Sequence, residues 1–313
     1  MNLTGIFAGL LSAVLQSCSY VASAAFLKRH EGNAKDMLFY TQFVQALVSL
    51  PLFFALVPSE ALADGRIWLS NAFWLAIFTV TQFSMFAAQR TVEPSKIATW
   101  LGLKIAVLAV LTTIWPLNGE TVAAGQWFAI AITIGATFVL NASGGMRPGW
   151  RGGFHLATFI LIASLCDRQQ VVIMTEFQAH GASLLTSALL TLSLGYWTFG
   201  IAALGYILVR VFRGEKTSVA AVKLRDSSPF AFFWFTAMIS IYCCYGELGP
   251  VFGNVVQSTR AVIAVLVSLL ACRLFRLGVE QPVSRAKWAL RFVAAALMTT
   301  GIILYSLARL PSA

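Results

Sequence analysis

The chain has 313 residues, of which 58% are hydrophobic and 11% charged, against about 25% charged in an ordinary soluble domain. That balance excludes a water-soluble globular fold, which has no place to hide so much apolar surface. The net charge of +10 does not point to nucleic acid, because the Lys and Arg residues sit in short connectors and form no amphipathic basic surface.

The first apolar run covers 3–27. Leu15-Gln16-Ser17-Cys18 loosely has the form of a lipoprotein cleavage box and Ala22-Ser23-Ala24 has a small-x-small form, but no Lys or Arg precedes them. The run therefore reads as a first membrane helix and not as a leader. Further runs follow at 37–57, 69–88, 96–114, 124–142, 153–175, 183–209, 229–246, 252–272 and 287–308. Each can cross a hydrocarbon layer of about 30 Å, so the sequence predicts an all-α polytopic membrane protein of ten helices. Pro51, inside the second run, predicts a kink that neighbouring helices can accommodate.

Cys18, Cys166, Cys243, Cys244 and Cys272 all fall in apolar runs without C-x-x-C spacing and read as reduced, packed thiols. His30, His155 and His180 are too scattered for a metal triad, and neither a nucleotide-binding Gly-rich loop nor H-E-x-x-H occurs. No metal, no cofactor, no enzymatic activity and no ATP-driven pumping are expected.

Loop charge predicts orientation, because Lys and Arg resist translocation. The odd-numbered connectors hold Lys28, Arg29, Lys35, Arg90, Lys96, Arg147, Arg151, Arg210, Arg213, Lys216, Lys223, Arg225, Arg273, Arg276, Arg285 and Lys287, which is 16 cations. The even connectors and both termini hold only Arg66 and Arg309. The odd connectors are expected in the cytoplasm and both termini outside a cell (inner) membrane.

The chain also reads as doubled. Pro94 is followed ten residues later by Lys104, and Pro250 ten residues later by Arg260; an uninterrupted apolar run follows each cation. Two repeats of five helices, 1–145 and 146–313, must lie inverted because five is odd, and loop cations agree for three of the four equivalent connectors. Inverted repeats are a recurring plan of secondary transporters, whose substrate lies at the repeat interface near the midplane.

Ten helices in two inverted halves, Gly119-Glu120 at the end of the fourth, Gln126-Trp127 and Gly135 in the fifth, and the looser echo Val279-Glu280 and Lys287-Trp288 together resemble the drug/metabolite transporter superfamily. The resemblance spans the whole chain. It implies secondary transport, both termini in the cytoplasm for many members, and, in sugar-phosphate and nucleotide-sugar members, substrate contacts from Lys and Arg of the second half.

Lys104 and Arg260 each lie about 15 Å along their helices, near the bilayer centre, and Asp167 and Arg168 lie at similar depth in the sixth. A charge there costs at least about 2.5–3.5 kcal/mol and must face a partner or a polar cavity. One aspartate cannot neutralise three cations, so a surplus of about two positive charges is expected, which a carboxylate or phosphate on the substrate would complement. Gln16, Gln82, Asn254, Gln257, Trp100 and Tyr245 complete the expected substrate site. Ser17, Ser19, Tyr20, Gln42, Gln45 and Ser258 are further polar positions in the spans; Tyr196, Trp197 and Tyr242 are further rings that could stack on a ligand. Asp167 is the candidate for proton coupling.

The expected function is secondary transport of a small polar metabolite with an acidic group, by alternating access. The partners are that substrate, membrane lipid and a proton, with no nucleic acid, in a monomer or homodimer. The alternatives are a broad exporter of drugs, amphipaths or amino acids and, from another class, an intramembrane lipid-modifying enzyme.

Overall fold

The computed structural model describes residues 3–116, 122–142, 149–275 and 284–308. Gly119, Glu120, Arg147, Arg276, Val279, Glu280 and Arg309, the side chains of Cys272 and Arg285, and the 145/146 repeat boundary lie outside the described residues. Among the described residues ten helices are long and apolar enough to cross a membrane and no strand occurs, the make-up of a multi-pass, all-α membrane protein.

The helices are α1 (Leu3–Arg29), α2 (Ala34–Leu56), α3 (Gly65–Gln89), α4 (Pro94–Ile114), α5 (Ala124–Ala142), α6 (Trp150–Ala179), α7 (Leu184–Phe212), α8 (Thr217–Leu248), α9 (Pro250–Gln257 continuing as Arg260–Phe275) and α10 (Arg285–Ala308). Side-chain caps define several starts: Asn33 accepts from Asp36 N, Asp64 from Arg66 N, and Ser183 from Thr186 N, which satisfies amides that a helix start leaves orphaned. α2 stays a single helix through Pro51.

Three features differ from the sequence expectation. α8 begins at Thr217, twelve residues before the predicted 229, so Lys223 and Arg225 ride on a helix and not in a connector. The reason is ionic. Lys223 bridges Asp36 at 2.6 Å and Glu215 at 2.5 Å, and Asp226 bridges Arg29 at 2.9 Å, so the charged turns have partners where they leave the apolar layer.

The second and third are breaks in helices expected to be continuous. α4 passes through a 3-10 turn at Leu101–Leu103 immediately before Lys104. Gly102 permits a close approach there, since a Cβ would lie 2.0 Å from Thr137 Oγ1 on α5. α9 is interrupted at Ser258–Thr259 immediately before Arg260. The Ser258 and Thr259 hydroxyls donate back to the carbonyls of Val255 (2.7 Å) and Val256 (2.9 Å), a local competition that bends helices.

α1 packs on α8, α2 on α7, α3 on α6 and α5 on α10. The first piece of α4 meets the second of α9, and the second of α4 meets the first of α9, so the two broken helices run antiparallel and their breaks adjoin. The outer surface is apolar: Leu69, Ile201 and Phe232 are 74%, 65% and 65% exposed. Polar groups are turned inward, with Ser12, Ser17, Ser19 and Ser23 of α1 fully buried, the inverse of a soluble protein.

Candidate functional site

Helical spacing brings one face of each of four helices to a central cavity: Gln16 and Tyr20 of α1; Trp74, Phe78, Thr81 and Gln82 of α3; Phe159, Ala163, Cys166, Asp167 and Gln170 of α6; and Trp234, Met238, Ile241, Tyr242 and Tyr245 of α8. Steps of three and four residues align these on single faces. Leu101 and Lys104 at the α4 break and Arg260 at the α9 break close the ring.

Lys104 Nζ lies 2.5 Å from Asp167 Oδ2, and the same oxygen accepts from Asn254 Nδ2 at 2.9 Å and from the Tyr245 hydroxyl. Asp167 therefore ties α4, α6, α8 and α9 together. Arg260 is 2% exposed and its Nη1 donates to Gln16 Oε1 at 2.7 Å. It forms no ion pair among the described residues, and its Nε has no hydrogen-bond partner there. The side-chain amide atoms of Gln82 and the Oε1 of Gln170 are likewise buried without partners.

Both breaks are stitched by a hydroxyl from another helix. Ser17 Oγ donates to the Arg260 carbonyl at 3.3 Å, and Ser164 Oγ donates to the Lys104 carbonyl at 3.5 Å.

Lys104, Arg260, Asp167, Gln16, Gln82 and Tyr245 of the expected site thus line one cavity, and Asn254 joins it through Asp167. Arg168 does not. Arg168, one residue on, points about 100° from Asp167, because a turn takes 3.6 residues, and on this side of Asp167 that carries it off the cavity wall. It instead lies 4.1 Å over the Trp115 ring and donates to the Trp115 carbonyl at 3.3 Å, at the far end of α4. The expected surplus of about two positive charges is corrected to one, carried by Arg260. Trp100 packs edge-on to Phe138, and Gln257 donates to Ser12 at 3.0 Å; neither lines the cavity. Tyr196 is a structural partner, accepting from Trp234 Nε1 at 2.8 Å, and Trp197 packs against Phe53 and Phe54.

The sequence reading missed Trp74, Phe78 and Trp234 as cavity walls; Trp74 and Phe78 stand eight and four residues before Gln82, and Trp234 eight before Tyr242, and steps of four or eight on one helix face were the available signal. Arg291, a buried cation of α10 that also escaped notice, stacks 5.5 Å from the Trp288 ring.

The cavity measures about 40 Å³, space for a few water molecules, whereas small-molecule sites occupy about 300–1,000 Å³. The helices are closed around their charges.

No family model matches the chain and no curated protein matches it. Among solved structures 28 chains match. One, described only as a crystal structure of a protein, has a TM-score of 0.62 at 15% identity and is covered over 100% of both chains. That likeness is one of fold, over the full length.

Proposed function

We propose that the chain is a secondary transporter, a member of the drug/metabolite transporter superfamily in the cell (inner) membrane, that carries a small metabolite bearing a carboxylate or phosphate. Arg260 carries this reading: a guanidinium buried at mid-span, facing the cavity, with a neutral glutamine as its side-chain partner. Lys104 and Asp167 offset each other, so the site has one net positive charge for an anionic group to meet. The unpartnered amide of Gln82 and the unpartnered Oε1 of Gln170 supply polar contacts, and the ring-lined walls accept an apolar body.

Alternating access is supported by the pairing of the helices. Exchanging the first five with the last five turns α1–α8 into α6–α3, and α2–α7, α4–α9 and α5–α10 map onto themselves. Inverted repeats of this kind rock about a fixed midplane site. Asp167 is the coupling residue in this scheme, since a proton on its carboxyl weakens the hold on Lys104 and releases the ammonium towards the substrate.

The aromatic walls favour a second reading, export of amphipathic drugs or amino acids. Uptake by proteoliposomes from a panel of anionic, zwitterionic and cationic metabolites separates the two. Saturable uptake confined to anionic members is expected, and transport of cationic amphipaths alone overturns the reading.

A further inference from the structure

Away from the central cavity, and sharing none of its lining residues, a groove of about 590 Å³ opens between α1, α8 and α9. Its walls include Val21, Ala22, Ala25, Phe233 and Val267, and at one end Arg29 and Arg225 flank Asp226. Along α1 the groove runs from Cys18 to Arg29, eleven residues or about 16 Å at 1.5 Å per residue. That is close to one leaflet, half of a hydrocarbon layer of about 30 Å. Along α8 the charged end likewise lies beyond the apolar one, with Arg225 eight residues before Phe233.

The charged end is unbalanced. Asp226 is 6% exposed and is shared by Arg29 Nη1 at 2.9 Å, Arg225 Nη2 at 3.3 Å and His30 Nε2 at 3.1 Å. One carboxylate thus faces two guanidiniums, whose side chains are 62% and 73% exposed. Both line the charged end of an apolar channel about one leaflet deep.

We propose that this groove binds one anionic phospholipid, with an acyl chain against Ala22, Ala25 and Val267 and the phosphate held between Arg29 and Arg225. A phosphodiester offers one negative charge and two free oxygens, which suits paired guanidinium donors. A choline headgroup brings a cation up against two others and is disfavoured. Anionic lipid also accumulates where basic residues flank the membrane surface.

The test uses the full chain in detergent, titrated with phosphatidylglycerol or with phosphatidylcholine of identical chains, reading retained lipid by native mass spectrometry and thermal stability in parallel. Phosphatidylglycerol is expected to stay bound at one copy and raise Tm, and phosphatidylcholine to do neither. Arg225→Gln, which removes only exposed contacts, is expected to weaken phosphatidylglycerol by about tenfold, the loss of one charge-assisted contact. Ala25→Phe keeps every charge and fills the channel, so it is expected to abolish retention with the lipid-free Tm unchanged. Equal retention of both lipids means annular lipid only and overturns the proposal, as does undiminished selectivity in both variants. Binding of glycerol phosphate without an acyl chain at equal affinity also overturns it. Transport of the central substrate is scored separately and does not enter these outcomes.

Discussion

Ser17 and Ser164 stand in corresponding places: each sits on the helix that flanks a break, and each donates its hydroxyl to the main-chain carbonyl of an intramembrane cation, Arg260 for Ser17 and Lys104 for Ser164. Each also donates to the carbonyl four residues before it. Three residues on, the likeness ends, with Tyr20 on α1 and Asp167 on α6. α1 therefore supplies an aromatic ring where α6 supplies the carboxylate, and it is Lys104, not Arg260, that pairs with that carboxylate.

The contact between α2 and α7 leaves no room for a methyl group. A Cβ on Gly200 would lie 2.1 Å from the Ala46 Cβ, and close approach at small residues is how membrane helices gain contact area. Gly200→Ala is expected to destabilise by about 1–3 kcal/mol, as overpacking does. Adding Ala46→Gly removes the opposing atom and should restore most of the melting temperature; no recovery in the double variant would sink this account.

Glu215 lies in the connector between α7 and α8. Burial pushes its carboxyl up, but hydrogen bonds from Lys223 and Arg210 outweigh that and hold it below the ordinary value near 4.5. A depressed folded-state value contributes stability that is fully present above the unfolded value and is lost as pH falls through the folded one. Glu215→Gln should therefore lower Tm by a constant amount from neutral pH down to about 4.5, with the deficit closing below. A deficit that persists unchanged in acid means the carboxylate charge contributes nothing.

Orientation is tested by single cysteines in a cysteine-free background. Exposed Glu60, between α2 and α3, and exposed Lys216, between α7 and α8, lie on connectors of opposite parity. With the cation-rich connectors inside, Glu60→Cys reacts with an impermeant maleimide in intact cells and Lys216→Cys only after lysis. The reverse pattern puts both termini in the cytoplasm.

The spans were legible because runs of apolar residues leave the chain few other options in a bilayer, and the depth of Lys104, Asp167 and Arg260 followed by counting from each helix start. The breaks were not legible. Ser258 read as an ordinary polar position and Thr259 was not singled out, and the close approach of Thr137 to Gly102 beside the turn in α4 joins residues distant in sequence. Arg168 was placed by depth alone, and its packing on Trp115, 53 residues away in sequence, was not legible. Lys223 was taken for a connector charge because its partner Asp36 is distant in sequence.

Arg260 and Lys104 should respond oppositely to neutralisation, and the contrast tests the assignment of the site. Lys104→Met leaves Asp167, only 15% exposed, with hydrogen bonds from Tyr245 and Asn254 but no counter-charge, and breaking a buried pair from one side costs about 3–5 kcal/mol. A lower melting temperature and poor yield are expected, with rescue by Asp167→Asn in the double variant. Arg260→Gln removes a charge that has no ion-pair partner among the described residues. It loses the bond to Gln16, but it also removes a charge that costs at least about 2.5–3.5 kcal/mol at the bilayer centre and relieves repulsion with Lys104. Its ligand-free Tm should equal or exceed that of the wild type, while the stabilisation that the proposed function expects from anionic metabolites should disappear. If Arg260→Gln unfolds as readily as Lys104→Met, the guanidinium is a structural element. If it keeps full ligand response, the anion binds elsewhere.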